Sequence, residues 1–320
     1  MQASYQQRHW DYVMGGPLLQ SLQFPALQSV AANARINAIP FVTDQDAPFL
    51  LRSIAVRVQY DTTTNAHRQT GLNQLQFRFT GPDSNYLQQS LVPLNIMTPY
   101  GGQLGNPLPL HRQLLYPARS TFFVDLLNNG SATLTNLTFY FRGVKLFPPG
   151  IRRMYPYPPK ISTLNYTYVR GQSPASNTTQ FNIPTSTPTN GTRFQFQVVS
   201  DGDFVLRSIQ AGPTASNLSW EVFMRLKDSD DYPYSNDFVH MDVLAGNATG
   251  PATYPTGTAS FQAAIGPGPS LPGIFYPEIY IPNQQYLIYE ILRTDASFVA
   301  QGAVSQDFPI SFMGSKVFAR

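Results

Sequence analysis

Asp46-Ala47-Pro48-Phe49-Leu50-Leu51-Arg52-Ser53-Ile54 returns in the second half of the chain as Asp201-Gly202-Asp203-Phe204-Val205-Leu206-Arg207-Ser208-Ile209. Each segment runs from an acid through an apolar stretch to an arginine, a serine and an isoleucine. Ahead of them, Phe41 and Phe196 stand at the same distance. Downstream, Tyr116-Pro117 followed by Phe122-Phe123-Val124-Asp125-Leu126-Leu127 answers Ile281-Pro282 followed by Leu287-Ile288-Tyr289-Glu290-Ile291-Leu292. The last match sets Phe141-x-Gly143-x-Lys145-Leu146-Phe147 against Phe312-x-Gly314-x-Lys316-Val317-Phe318. Colinear matches at both edges and in the interior mark an internal duplication. The expected organisation is an N-terminal arm (1–40), a first domain (41–147), a connector (148–193) and a second domain (194–320). The extra length of the second domain falls in the Gly/Pro/Ala-rich insert from Leu244 to Pro272.

Within each domain, short apolar runs alternate with turn residues, which predicts antiparallel strands with one wet face. Ile54, Val56 and Val58 alternate with Ser53, Arg57 and Gln59, and Leu75-Gln76-Phe77-Arg78-Phe79 keeps a strict period of two. Phe194-Gln195-Phe196-Gln197-Val198 and Trp220-Glu221-Val222-Phe223-Met224-Arg225-Leu226 behave alike, with turn chemistry at Thr80-Gly81-Pro82-Asp83 and Asn128-Asn129-Gly130 between runs. The one helical candidate, Leu18 to Ile36, contains Pro25 and is expected to be extended or broken. Seven or eight short strands per domain predict an all-β protein: two homologous jelly-roll-like antiparallel β-sandwiches in tandem. The immunoglobulin-like alternative lacks its Cys-Trp-Cys framework. The expected cores hold Phe49, Ile54, Phe77, Phe122, Val124 and Phe141 in the first domain, and Phe204, Ile209, Trp220, Leu287, Tyr289 and Phe312 in the second.

Charged residues make up 12% of the 320, where about 25% is usual, and Gln, Asn, Ser, Thr, Tyr and 28 Pro fill the gap. That composition excludes a coiled coil and a disordered polyelectrolyte. Zero Cys removes disulfides and thiolate chemistry, and no apolar run has the length of a membrane helix. The net charge of +3 is uneven. Arg152, Arg153, Lys160 and Arg170 lie in an acid-free stretch with Tyr155, Tyr157, Tyr166 and Tyr168. Four cations there are thin for nucleic-acid binding and suit bracing of a linker. The first ten residues have no basic segment leading into an apolar one, so the expectation is synthesis in a cytoplasm. The seven Asn-x-Ser/Thr sequons then reflect composition.

No nucleophile elbow, zinc helix or phosphate loop is present. The histidines, His9, His67, His111 and His240, are scattered. His240 beside Asp237 and Asp242 reads as a solvated strand end. Asp228, Asp230 and Asp231, with Asp237 nearby, are the weak candidates for a hard cation, though their spacing is not that of an EF-hand. Glu221, Glu278 and Glu290 nominate no glycosidase pair. Neither enzyme activity nor a cofactor is expected. Trp220 shares an alternating face with Val222 and Met224 and reads as core. A sugar-binding module, with a host glycan as ligand, is the remaining ligand-binding class.

The tandem sandwiches, absence of Cys, low charge, Pro-rich connector and polar arm resemble virion structural proteins of bacteriophages: jelly-roll capsid proteins, including double jelly-roll shells, and sandwich-built decoration or tail proteins. The resemblance is architectural and rests on no short motif. It implies a non-enzymatic capsid or capsid-cementing component, with a tail, collar or adsorption-apparatus protein as the alternative. The partners it implies are copies of the same chain and other virion proteins. Interface residues are then expected at Trp10, Leu18, Leu22 and Phe24 in the arm and at Arg152, Arg153, Tyr155 and Tyr157 in the connector, because large aromatics dominate interfaces.

Overall fold

A computed structural model describes residues 5–17, 23–60, 75–93, 108–150, 162–170, 191–211, 222–244, 274–293 and 310–318. The chain forms two compact units, Met1–Ile151 and Arg152–Arg320. The first contains β1 (Gln6–Met14), a single-turn α1 (Pro25–Gln28), β2 (Ser29–Val30), β3 (Arg35–Val42), β4 (Phe49–Tyr60), β5 (Leu75–Phe79), β6 (Val92–Pro93), β7 (Leu108–Tyr116), β8 (Thr121–Asn128) and β9 (Leu134–Phe147). The second contains β10 (Ser162–Arg170), β11 (Thr192–Gln197), β12 (Asp203–Ala211), β13 (Val222–Lys227), β14 (Val239–His240), α2 (Met241–Leu244), β15 (Ile274–Ile281), β16 (Tyr286–Arg293) and β17 (Ile310–Phe318).

In the first unit the sheets run β1-β9-β4-β7, with β2 added on β9, and β3-β8-β5-β6. In the second they run β10-β17-β12-β15 and β11-β16-β13-β14. Setting β2 aside, both units have the same order: first, eighth, third and sixth strands in one sheet, second, seventh, fourth and fifth in the other. All pairings are antiparallel. Two interlocked four-strand sheets in this order are a jelly roll, so the all-β double sandwich expected from the sequence is what the chain forms.

The strand order corrects the expected boundaries. Gln6–Met14 is not an arm: it pairs along its whole length with β9, from Gln6↔Phe147 to Met14↔Phe139. Arg35–Val42 pairs with β8, and Ser162–Arg170, placed in the connector, is the edge strand of the second unit against β17. The physical reason is that β1 is buried on both faces, so it shows no apolar/polar alternation. Trp10, Tyr12 and Met14 point one way, His9, Asp11 and Val13 the other, and all are buried. Between Met14 and Arg35 the helical residues among those described are Gln23 and the one-turn α1.

Both cores are aromatic and join the two sheets of their unit. In the first, Tyr12 meets Phe41 at 5.3 Å and Phe122 meets Phe141 edge-on at 4.9 Å. In the second, Tyr168 stacks on Phe196 at 4.8 Å and Phe196 lies 4.9 Å from Phe312. Every expected core residue but one is buried, and Trp220 lies outside the described residues.

The duplication extends to detail that the sequence does not display. Tyr12 stands opposite Phe141 and Tyr168 opposite Phe312. The Tyr12 hydroxyl accepts the amide of Asp44 at 2.7 Å, and the Tyr168 hydroxyl that of Val199 at 3.2 Å. Each tyrosine thereby ties the first strand of its unit to the turn leaving the second. Burial raises the Tyr12 phenol well above its ordinary pKa, with the charge of Asp44 adding to the effect. Replacing Tyr12 or Tyr168 by phenylalanine is expected to cost about 1 kcal/mol each, the usual net worth of one hydrogen bond. The loss should be larger at Tyr12, and denaturant unfolding monitored by near-ultraviolet dichroism would measure it.

A β-bulge falls between Leu51 and Ser53 and again between Leu206 and Ser208, so Arg52 and Arg207 are the extra residues. Each bulge sits beside a glycine in the last strand. A Cβ on Gly143 would lie 2.1 Å from the Leu50 carbonyl oxygen, and one on Gly314 would lie 2.0 Å from that of Val205. The turns repeat too. Ser120 N donates to Pro117 O and Gln285 N to Pro282 O, with Arg119 and Gln284 both at φ 60°.

Candidate functional site

The most concentrated side-chain chemistry of the first unit lies where the end of β9 meets the turn between β3 and β4. Lys145 projects from β9 into that corner because Gly143 and Lys145 lie on its core face, opposite Trp10 and Arg8 of β1. Its Nζ lies 2.6 Å from Asp44 Oδ2, 2.9 Å from Asp46 Oδ1 and 3.1 Å from Asp46 Oδ2. The Trp10 ring closes over it at 3.4 Å. The lysine is 1% exposed, while Asp44 and Asp46 remain partly open at 41% and 29%. In the second unit Lys316 Nζ meets both oxygens of Asp201 at 2.9 and 2.8 Å. These are the acid that heads and the lysine that ends the repeated motifs. The signal was therefore in the sequence, although only register shows that the two ends meet.

A second repeated pair crosses the other sheet. Arg78 Nε bonds Asp125 Oδ2 at 2.8 Å beneath the Tyr86 ring, 3.8 Å from the guanidinium carbon. Arg225 Nη2 bonds Glu290 Oε2 at 2.7 Å, with the Phe238 ring 4.8 Å away. Asp125 is also bonded by the Ala38 amide at 2.7 Å and by the Tyr86 hydroxyl at 3.1 Å. Burial alone would raise its carboxyl; these donors hold it below the ordinary range. Lys227 adds a 2.7 Å contact to Glu290, and Asp231 bridges Lys227 and Arg193 at 3.2 and 3.1 Å.

On β1 and β9 a buried triad is formed by His9, Asp11 and Arg142. Asp11 Oδ1 accepts from Arg142 Nε at 2.9 Å, and Oδ2 lies 3.2 Å from His9 Nε2. Burial pushes the Asp11 carboxyl up, but Arg142 first and His9 second outweigh it and bring the pKa to about 2.

The expected site residues fall differently. Trp10 and Phe24 are 3% and 4% exposed within this chain, and Phe24 stacks on Phe41 at 6.0 Å. Their expected insertion into a neighbouring subunit is corrected: both are core residues, because the segments carrying them belong to the first sandwich. Leu18, Leu22, Arg152, Arg153, Tyr155 and Tyr157 lie outside the described residues.

Asp228, Asp230 and Asp231 form the turn after β13. Asp228 Oδ1 accepts the amides of Asp230 at 3.0 Å and Tyr232 at 2.9 Å. The backbone bonds of this turn repeat those of Gly81 to Leu87 in the first unit, where Gly81 and Ser84 stand in for Asp228 and Asp231. Asp83 keeps the place of Asp230 and accepts the Asn85 amide at 3.3 Å, so the turn needs neither of the other two acids. Among the described residues no group of three or more His, Asp or Glu is arranged to hold a metal ion. His240 is not a solvated strand end: it is fully buried with its ring edge-on to Phe223 at 4.9 Å. No helix among the described residues is long and apolar enough to cross a membrane.

No protein-family model matches the chain, and no curated protein matches it. Among solved structures, a chain from the atomic structure of Sulfolobus turreted icosahedral virus is similar over 97% of this chain and 91% of its own, at 13% identity and a TM-score of 0.26. Peptide N-glycanase F is similar over 91% of this chain and 89% of its own, at 10% identity and a TM-score of 0.21. A second structure of that enzyme, described as a glycosylasparaginase from Flavobacterium meningosepticum, gives 11% identity and 0.22 over 91% and 90%. Likeness at this level says nothing of what this chain does, and the jelly-roll assignment rests on strand order and register.

Proposed function

We propose that this chain is a non-enzymatic structural subunit of a bacteriophage particle, a capsid or capsid-cementing component that assembles with copies of itself and with other virion proteins. The observation that carries the reading is the doubling of one eight-stranded sandwich, reproduced in strand order, bulge, turn and ion pair. One chain then supplies two similar blocks to a repeating array. A charge-poor chain also loses little solvation when its faces are covered.

With Trp10 and Phe24 inside the first unit, the contacts between copies fall to apolar side chains that remain open. Val42, Leu87 and Leu115 are 57%, 43% and 49% exposed, and apolar anchors of this kind are what subunit contacts cover. Purified full-length chain is expected to form a closed assembly whose averaged electron micrographs show twice as many sandwich densities as chains. The double variant Leu87→Asp/Leu115→Asp should keep a folded subunit and block assembly. A wild-type chain that stays monomeric at all concentrations and binds tightly on a glycan array would overturn the reading in favour of a sugar-binding module.

A further inference from the structure

We propose that Lys145 and Asp44 close an intramolecular amide bond, with Asp46 as the proton relay, so that the last strand of the first unit becomes covalently joined to the turn between its second and third strands. This goes beyond the assembly role and does not depend on it. Three observations converge. The Lys145 side chain is 1% exposed and its Nζ is capped by the Trp10 ring at 3.4 Å, so water is kept from the amine. Asp44 presents one oxygen at 2.6 Å, and its backbone is fixed by the 2.7 Å bond from its amide to the Tyr12 hydroxyl. Asp46 brings a second carboxylate to the same nitrogen, with Oδ1 at 2.9 Å. A nucleophile and an acyl carbon held together in this way react as one molecule, and a neighbouring carboxylate supplies general acid–base help.

The step balances without an oxidant or a co-reactant. Asp46 takes a proton from the ammonium and delivers it to an Asp44 oxygen. The freed amine adds to Asp44 Cγ, the Cγ–O bond to the protonated oxygen breaks, and water leaves. Two of the three ammonium protons depart with one Asp44 oxygen, the third stays on the amide nitrogen, and Asp46 ends as it began. The second unit is an internal control. Lys316 has Asp201 in the place of Asp46, but Val199 stands in the place of Asp44, its amide on the equivalent Tyr168 hydroxyl. There the ion pair remains an ion pair.

Intact mass spectrometry of the denatured full-length protein reads the bond directly. The wild-type chain is expected about 18 Da below its sequence mass, the loss of one water on covalent closure. Trypsin should release residues 36–52 joined to residues 143–152, with fragment ions placing the link between Asp44 and Lys145 and not on a dehydrated aspartate. Asp44→Val, which gives the first unit the residue of the second, should restore the full mass. Asp46→Asn should lower the bonded fraction by about tenfold or more, in line with the loss of a general acid–base group. The wild-type mass decides the matter even if a variant fails to fold. A wild-type chain at full sequence mass, or a link carried by Asp46 or Lys316, overturns the proposal.

Discussion

Gly143→Ala is expected to abolish folding of the first unit, and Gly314→Ala that of the second. The added Cβ would sit 2.1 Å from the Leu50 carbonyl oxygen in one case and 2.0 Å from that of Val205 in the other. The atom in the way is backbone, fixed by the bulge on the adjacent strand, so no rotamer change relieves the clash. Phenylalanine rings close the other side, with Phe49 carbons at 2.9 Å and a Phe204 carbon at 3.0 Å. Relief requires β4 to part from β9, or β12 from β17, which breaks the central pairing of the sheet. Overpacking commonly costs about 1–3 kcal/mol, and a backbone clash of this severity belongs with the exceptional cases of about 4 kcal/mol or more. Against a domain stability of roughly 5–15 kcal/mol, that is enough to lose the unit at ordinary temperatures. Hydrogen exchange with peptide-level resolution would check it. Protection should vanish in the substituted unit, and full protection in both variants would refute the close-approach account.

The second large effect is expected at Arg142. Arg142→Met removes the guanidinium and leaves the Asp11 carboxylate buried beside His9, at a cost of about 3–5 kcal/mol, as for other broken buried pairs. The double change Arg142→Met/Asp11→Leu should recover much of that loss, since an apolar pair leaves no stranded charge. The pH dependence carries the sign. Asp11 is depressed in the folded chain from 3.8 to about 2, so its contribution is complete above roughly pH 4 and fades as the pH falls through 2. The size is on the order of 2 kcal/mol. In Arg142→Met the largest of the influences that lower the Asp11 carboxyl is gone and His9 alone opposes burial, so the depression shrinks. That variant should lose less stability than the wild-type chain between pH 4 and pH 2. Parallel urea titrations across this range would decide it; parallel pH profiles would show that Arg142 and Asp11 are not coupled.

Much of the fold was legible because β4 and β12 keep their apolar stretch, arginine and serine in a fixed sequence, and because β5 alternates strictly. The first strand of each sandwich was not. His9, Asp11 and Arg8 make Gln6–Met14 look like a polar arm, and their burial is intelligible only once Arg142 of β9 is seen beside Asp11. Ser162–Arg170 was hidden by its basic, proline-rich surroundings. Of the candidate site, the letters of the Lys145 and Lys316 pairs were already in the repeated motifs. The pairing depends on register between strands that are distant in sequence, which no local pattern encodes. The acidic turn is a related case. A dense run of Asp suggests a cation, and Gly81 to Leu87 builds the same backbone turn with Asp83 as its one acid.

The pairing of first with last strand in each sandwich bears on how such a chain could have arisen. Gln6 faces Phe147, and Ser162 faces Phe318, so the polypeptide enters and leaves each unit at adjacent points. Termini that lie close together let a folding unit be inserted, removed or copied with little disturbance to the rest. A coding segment bounded in this way can be doubled in tandem without threading the new copy through the old. Each copy is then free to diverge at positions such as Asp44 and Val199 while the glycine at its bulge stays fixed by geometry.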